Sequence, residues 1–255
     1  MRLFDSHTHS HLRGFEELQS MAAAGIEGLV TCAFIPVKPS AAATLTDLFR
    51  WLVDEEAGRV HKAGMRPLIA VGVHPRCIPD QGLDVAMAAV DTLLETGRAA
   101  ALGEVGLECG DEVERDVLSL QLEMAARHDV PVIVHTPRAN KEAMLEDTLG
   151  ILAASDVRPE RVIIDHLTGA AVSRVRGLGF FAGMTVQPGK STAADVATEL
   201  RTGGAERLVV DSDLSHVASN PLTVAEVARH LAGESLDPDG IARVVGGNLA
   251  ALFGI

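Results

Sequence analysis

The chain has 255 residues, 47% hydrophobic and 22% charged, with a formal net charge of −13. This is an ordinary globular composition with enough length for a large core, and its acidity argues against broad wrapping of nucleic acid while leaving room for a local basic patch. With no tyrosine and one tryptophan, Trp51, it offers no aromatic platform for single strands.

No apolar run approaches the ~20 residues that cross a bilayer, and no secretory leader is legible after Arg2. Cys32, Cys77 and Cys109 are odd in number and make no CxxC pair, which reads as reduced thiols. The expectation is a cytoplasmic protein without a membrane partner.

The first apolar pulse, Leu3–Phe4, runs into Asp5-Ser6-His7-Thr8-His9-Ser10-His11. Strand side chains alternate, so His7 and His9 share a face with Asp5. His11 reads as a loop residue beyond that strand. Further short apolar runs follow at 28–34, 67–73, 99–102, 130–134, 161–164, 179–184 and 207–210. They are rich in Val and Ile and too short for helices, so they read as buried parallel strands. Helical periodicity fills 42–63, 113–128, 140–153, 192–202 and 221–232. Asp80 and Asp237 read as cap or turn residues, and Gly177 and Gly179 as helix stops.

Eight strand-and-helix units in one chain of this length predict a (β/α)8 TIM barrel, with residues 1–255 as a single domain. An open doubly wound sheet would be expected to show a glycine-rich phosphate loop after an early strand, where this chain has His-Thr-His.

In such a barrel, chemistry sits at the C-terminal strand ends. Those ends carry His7 and His9, His74, Glu104, His135, Asp165-His166 and Asp211-Ser212-Asp213. His61, His128 and His230 fall in helices and read as surface or packing residues. Imidazoles and carboxylates crowded into one mouth would repel or desolvate each other unless a cation joins them. His7, His9, His135, His166, Glu104 and Asp213 are too many for one catalytic zinc and suit two divalent ions. Glu104 is the natural bridge. Asp213 suits both metal binding and proton acceptance. Zn, Mn, Fe or Ni fits four imidazoles better than Mg.

Two such ions leave the centre net positive and favour an anionic substrate. Lys38, Arg76, Arg138, Lys141 and Lys190 fall on the same rim, with Arg138 and Lys190 the strongest candidates for substrate contact. His74, in Gly72-Val73-His74-Pro75, is placed to hydrogen-bond substrate rather than metal.

The spaced set Asp5-Ser6-His7-Thr8-His9, Gly72–Pro75, Gly103-Glu104-Val105-Gly106-Leu107-Glu108, Gln121, His135, His166 and Asp213, with the closing 247–254 stretch, resembles the TatD-like hydrolases of the amidohydrolase superfamily. The resemblance implies a metal-dependent hydrolase. His7, His9, Glu104 and Asp213 would hold one ion, and Glu104, His135 and His166 the second, with Mg or Mn permitted. Well-studied members are deoxyribonucleases acting at strand ends. The loops depart from the family pattern at His166-Leu167-Thr168-Gly169, Asp211-Ser212-Asp213-Leu214 and His135-Thr136-Pro137-Arg138.

Three functions follow. The first is phosphoester hydrolysis of a nucleic-acid end or a small phosphorylated molecule. The second is hydrolysis of an amide, lactone or cyclic C–N bond of a metabolite. The third is a non-catalytic metal-binding barrel.

Overall fold

A computed structural model describes residues 1–255. In chain order the elements are β1 (Leu3–Thr8), α1 (Phe15–Ala23), β2 (Ile26–Cys32), α2 (Ala42–Trp51), α3 (Ala57–Lys62), β3 (Arg66–Val71), α4 (Leu83–Glu95), β4 (Ala101–Gly106) and α5 (Glu112–His128). There follow β5 (Val132–His135), α6 (Lys141–Ala154), β6 (Val162–Ile164), α7 (Ala170–Gly177), β7 (Phe181–Thr185), α8 (Ala193–Gly203), β8 (Leu208–Asp211), α9 (Thr223–Gly233), α10 (Pro238–Ala242) and α11 (Asn248–Phe253).

All eight strands are parallel and lie side by side in sequence order. The barrel closes between β1 and β8 through polar groups. The Asp213 amide donates to the His7 carbonyl at 3.1 Å, and the His9 amide to the Leu214 carbonyl at 2.7 Å. Buried Asp5 accepts from the Ser212 amide at 3.0 Å and from its hydroxyl at 2.6 Å. The polar run that opens the chain therefore supplies the seam as well as the mouth.

The strand period of two divides the apolar residues into two cores. Phe4, Val30, Leu68, Ala101, Ile133, Ile163 and Val209 fill the barrel, and Leu249 and Leu252 of α11 pack against them. Outward residues such as Leu29, Ile69, Leu102, Val134 and Val210 pack in the larger core with helix residues such as Leu18, Leu48, Val90, Leu122 and Leu231.

Continuing the inward row beyond Ile133, Ile163 and Val209 gives His135, Asp165 and Asp211. Register shifts fall between Asp5 and Thr8 on β1 and between Leu102 and Val105 on β4, the two segments that carry His7 and Glu104. Such irregularities re-aim side chains next to sites.

The strands differ from their expected bounds mainly at polar ends. β1 continues through Asp5–Thr8 and β4 through Gly103–Gly106, because these residues are buried and paired with protein partners. The expected helix over 42–63 is realised as α2 and α3 joined by a π-helical turn, Leu52–Glu56. Asp237 caps α10 by accepting from the Gly240 amide. Asp80 is a turn residue, since α4 starts after Gly82, and its carboxylate pairs with Lys38 at 2.6 Å. Helix α7 ends at Gly177, and Gly179 takes the left-handed φ of 95° that turns the chain toward β7. No helix is long and apolar enough to cross a membrane.

Candidate metal centre

The strand ends bring His7, His9 and Glu104 into one buried cluster. The Nε2 atoms of His7 and His9 lie 3.3 Å apart, and each lies 3.3 Å from Glu104 Oε2. On the other side of Glu104, Oε1 sits 2.9 Å from His135 Nδ1 and 3.3 Å from His166 Nε2. Asp213 Oδ1 is 3.5 Å from His9 Nε2. Glu104 thus has one oxygen toward each set of imidazoles. Five of the six predicted ligands line one cavity, and the sixth, His7, is buried behind them against His9 and Glu104. His166 and Asp213 get there through left-handed backbone turns, with φ of 64° and 44°.

The hydrogen bonds around the first cluster fix its electronic character. His7 Nδ1 lies 2.8 Å from Asp165 Oδ2, and His9 Nδ1 lies 2.9 Å from the Cys32 carbonyl. Both partners are acceptors, so both Nδ1 atoms carry the proton. In the metal-binding form both rings are neutral, and the Nε2 lone pairs then point at each other and at Glu104 Oε2. Three electron pairs converging at 3.3 Å fit a divalent cation, whose imidazole ligands characteristically give their second nitrogen to an acceptor.

His74 is different. Its Nδ1 accepts from the Arg76 amide at 3.0 Å, which leaves the proton on Nε2, 3.7 Å from Glu104 Oε2. Burial, reinforced by the charges of His135 and His9, holds its pKa well below the usual imidazole value, so the ring is neutral. A neutral ring that accepts through Nδ1 has no lone pair on Nε2. Although His74, Glu104 and His135 are close enough to share an ion, His74 faces Glu104 as a donor.

In the cation-free protein the carboxylates feel the same surroundings. Burial alone would raise the pKa of Glu104, but the charge of His7 and the bond from His135 hold it well below the carboxylate range. Asp213 is also lowered: burial opposes ionisation, and His166 and Lys190 outweigh it. Its Oδ2 accepts from Lys190 Nζ and Gln187 Nε2, each at 2.7 Å, so Oδ1 is the oxygen left toward the cluster. His166 is lowered to about 3, by burial first and by the Lys190 charge second.

Below the cluster, Asp211 is fully buried and neither carboxylate oxygen has a partner. Burial and then the neighbouring Asp165 push its pKa well up.

The cavity above has a volume of about 660 Å³. Among the rim residues expected from the sequence, Arg76, Arg138, Lys141 and Lys190 line it, and His74 does too. Lys38 does not, being engaged with Asp80. Lys190, expected on the substrate, is held on Asp213 and lies 3.0 Å from His166 Nδ1. Arg138 is exposed at the mouth.

His11 lies past the strand as expected, but in a buried 3-10 turn, where its Nε2 donates to the Phe34 carbonyl at 2.8 Å. His61 is exposed and His128 bonds Asp91 at 2.7 Å, both outside the site.

Three contributors were not singled out by sequence. Asp165 stands beside His166 in the quoted strand end, and only the inward period marks it. Glu108 accepts from His135 Nε2 at 2.9 Å, and Gln187 lies in a loop without an apolar signal.

The family model described as TatD related DNase matches residues 4–254. An uncharacterized metal-dependent hydrolase of Methanocaldococcus jannaschii is 30% identical over 251 residues, 98% of this chain and 99% of that protein. The crystal structure of a TatD-like protein from Archaeoglobus fulgidus superposes with a TM-score of 0.84 at 32% identity, covering 99% of this chain and 100% of that one. A TatD homolog of Escherichia coli, YJJV, shares the fold with a TM-score of 0.71 at 21% identity, over 100% and 98% of the two chains. On the family match and the near-complete overlap with both archaeal relatives, this chain belongs to the TatD family of metal-dependent hydrolases.

Proposed function

We propose that the protein is a two-metal hydrolase of phosphoester bonds, acting on a nucleic-acid end or a small phosphorylated molecule. The observation that carries the reading is the pair of Nε2 atoms of His7 and His9 facing Glu104 Oε2, with each Nδ1 held by an acceptor, in a cavity whose wall also bears Arg76, Arg138, Lys141 and Lys190. A cationic wall around a cationic centre favours an anionic substrate.

When bound, divalent ions at the cluster supply Lewis acidity and bring a water pKa down to about 7. His7, His9, Glu104 and Asp213 would hold one ion. Glu104, His135 and His166 would hold the other. Zn, Mn, Fe or Ni suits this donor set, and Mg remains an ion to test.

The remaining roles belong to the chain itself. Asp165 and the Cys32 carbonyl keep the first two imidazoles in the ligand tautomer. Asp213 takes the proton released by the attacking water at Oδ1, while Lys190 and Gln187 hold Oδ2 still. His74 donates from Nε2 into the cavity, and Arg138 meets the substrate at the mouth.

The test is a substrate screen with Mn²⁺ or Zn²⁺, setting phosphodiesters and phosphomonoesters against lactones and amides. Turnover of a phosphoester is the expected result. Turnover of lactones or amides alone would replace this reading with C–O or C–N hydrolysis, and turnover of nothing would leave a metal-binding barrel.

A further inference from the structure

The cations of the cavity differ in what they touch. Lys190 is paired with Asp213, and Arg76 lies over the Phe34 ring, 5.5 Å from its centroid. Lys141 and Arg138 have no carboxylate partner. The Lys141 ammonium gives hydrogen bonds to the Thr136 hydroxyl at 3.2 Å and to the His166 carbonyl, both neutral oxygens. An ammonium has three N–H bonds, so one remains. Arg138 makes no hydrogen bond or ion pair within the protein, and its five-donor fork is free at the mouth. Lys190 and Arg138 are both near enough to oppose the Lys141 charge. Like charges drawn together on a half-buried wall destabilise the fold unless an anion joins them.

We propose that Lys141 and Arg138 form a phosphate subsite beside the metal centre, which holds a second phosphate of the substrate next to the bond that is cleaved. The choice of phosphate over another anion rests on the phosphoester reading above. The fork of Arg138 suits two phosphate oxygens, and Lys141 supplies a point charge fixed in place by its two neutral acceptors. Its bond to the His166 carbonyl ties the subsite to a residue of the cluster, which places the held group next to the reacting one. The preferred substrate is then a phosphodiester that also bears a terminal phosphate: a phosphorylated strand end or a small molecule with two phosphates.

The experiment compares dinucleotides with no terminal phosphate, a 5′-phosphate or a 3′-phosphate, using wild type, Arg138→Ala and Lys141→Met in the metal-loaded state. Wild type should favour one phosphorylated dinucleotide by tenfold or more in kcat/KM, through KM. Each variant should lose that preference, turning over the phosphorylated and unphosphorylated dinucleotides with similar kcat/KM.

Arg138→Ala removes no bond within the protein, so it keeps the test valid if Lys141→Met disturbs His166. Metal content by elemental analysis checks for such damage. Binding of orthophosphate to the loaded protein, by calorimetry, gives a readout without turnover, and each variant should weaken it about tenfold.

An equal preference in wild type and Arg138→Ala, together with identical orthophosphate affinity, overturns the subsite while leaving phosphoester hydrolysis standing. If only lactones or amides are turned over, the phosphoester reading falls. The orthophosphate comparison then decides the subsite alone: a difference between wild type and Arg138→Ala upholds it, and equality overturns it.

Discussion

His7 Nδ1 lies 2.8 Å from Asp165 Oδ2, and neither residue has exposed surface. This contact fixes the proton on Nδ1 and makes Nε2 the nitrogen aimed at the cluster. Partners of this kind typically carry ~10–100-fold in metal affinity. Asp165→Ala should therefore lose that much affinity in a chelator competition, with the remaining ion bound more weakly. Asp165→Asn, whose amide oxygen still accepts, should fall between. Melting of the chelated proteins separates this from general damage. Equal affinity in wild type and Asp165→Ala would remove Asp165 from the site.

Gly183 on β7 faces that same carboxylate. A Cβ built there would sit 1.6 Å from Asp165 Oδ1, so no larger residue fits without moving it. Gly183→Ala should reproduce the metal loss of Asp165→Ala although residue 183 binds nothing. Overpacking should also cost ~1–3 kcal/mol of stability by denaturant titration. Normal metal affinity in Gly183→Ala would mean that Asp165 can shift without consequence for His7.

The eight strands were legible because their centres are apolar and short, while their functional ends were not. Apolar patterning stops at Phe4 and at Leu102, yet β1 and β4 run on through Asp5–Thr8 and Gly103–Gly106. There, polar partners do what apolar neighbours do elsewhere. Helices α1, α4, α7 and α11 were not resolved as elements. Their alanine content blurs the contrast between faces, and α11 packs against the barrel interior instead of flanking it. The six candidate ligands were legible because strand ends collect them, whichever way each side chain points. What sequence could not show is direction: the left-handed turns at His166 and Asp213, the inward row that makes Asp165 a neighbour of His7, and the lysine held on Asp213.

His74 gives a test of tautomer logic. It is close enough to Glu104 and His135 to look like a ligand, but its Nδ1 already accepts from Arg76. His74→Gln should keep the full metal content by elemental analysis and raise KM more than it lowers kcat. His9→Gln, by contrast, should lose metal. Loss of an ion from His74→Gln would show that the ring reverses its hydrogen bonding when an ion arrives.

The seam between β1 and β8 has two backbone bonds near its mouth, and Asp5 with Ser212 supplies the polar contacts below them. Ser212→Ala leaves a buried carboxylate short of one donor. Losing such a bond to a charged group should cost ~1–3 kcal/mol in urea unfolding. Burial already raises the pKa of Asp5 to about 6 against the pull of Ser212. A stability change under about 0.5 kcal/mol, the usual range for an incidental surface substitution, would make the latch incidental.

Asp213 is the residue on which the proposed chemistry turns, and its two oxygens make the outcome of substitution specific. Oδ2 is held by Gln187 and Lys190, while Oδ1 faces the cluster. Asp213→Asn keeps the size and an oxygen donor but cannot take up a proton. If Asp213 is the base, kcat should fall by ~10²–10⁴, the usual worth of a positioned base, while His7, His9 and Glu104 retain most of the metal. Lys190→Met leaves the carboxylate in place and removes one anchor from Oδ2, so its loss should be smaller and its metal content normal. A near-wild-type rate for Asp213→Asn with metal bound would exclude it as proton acceptor. A collapse of metal content in Asp213→Asn would reduce its role to ligation, because the rate would then report the missing ion and not the missing base.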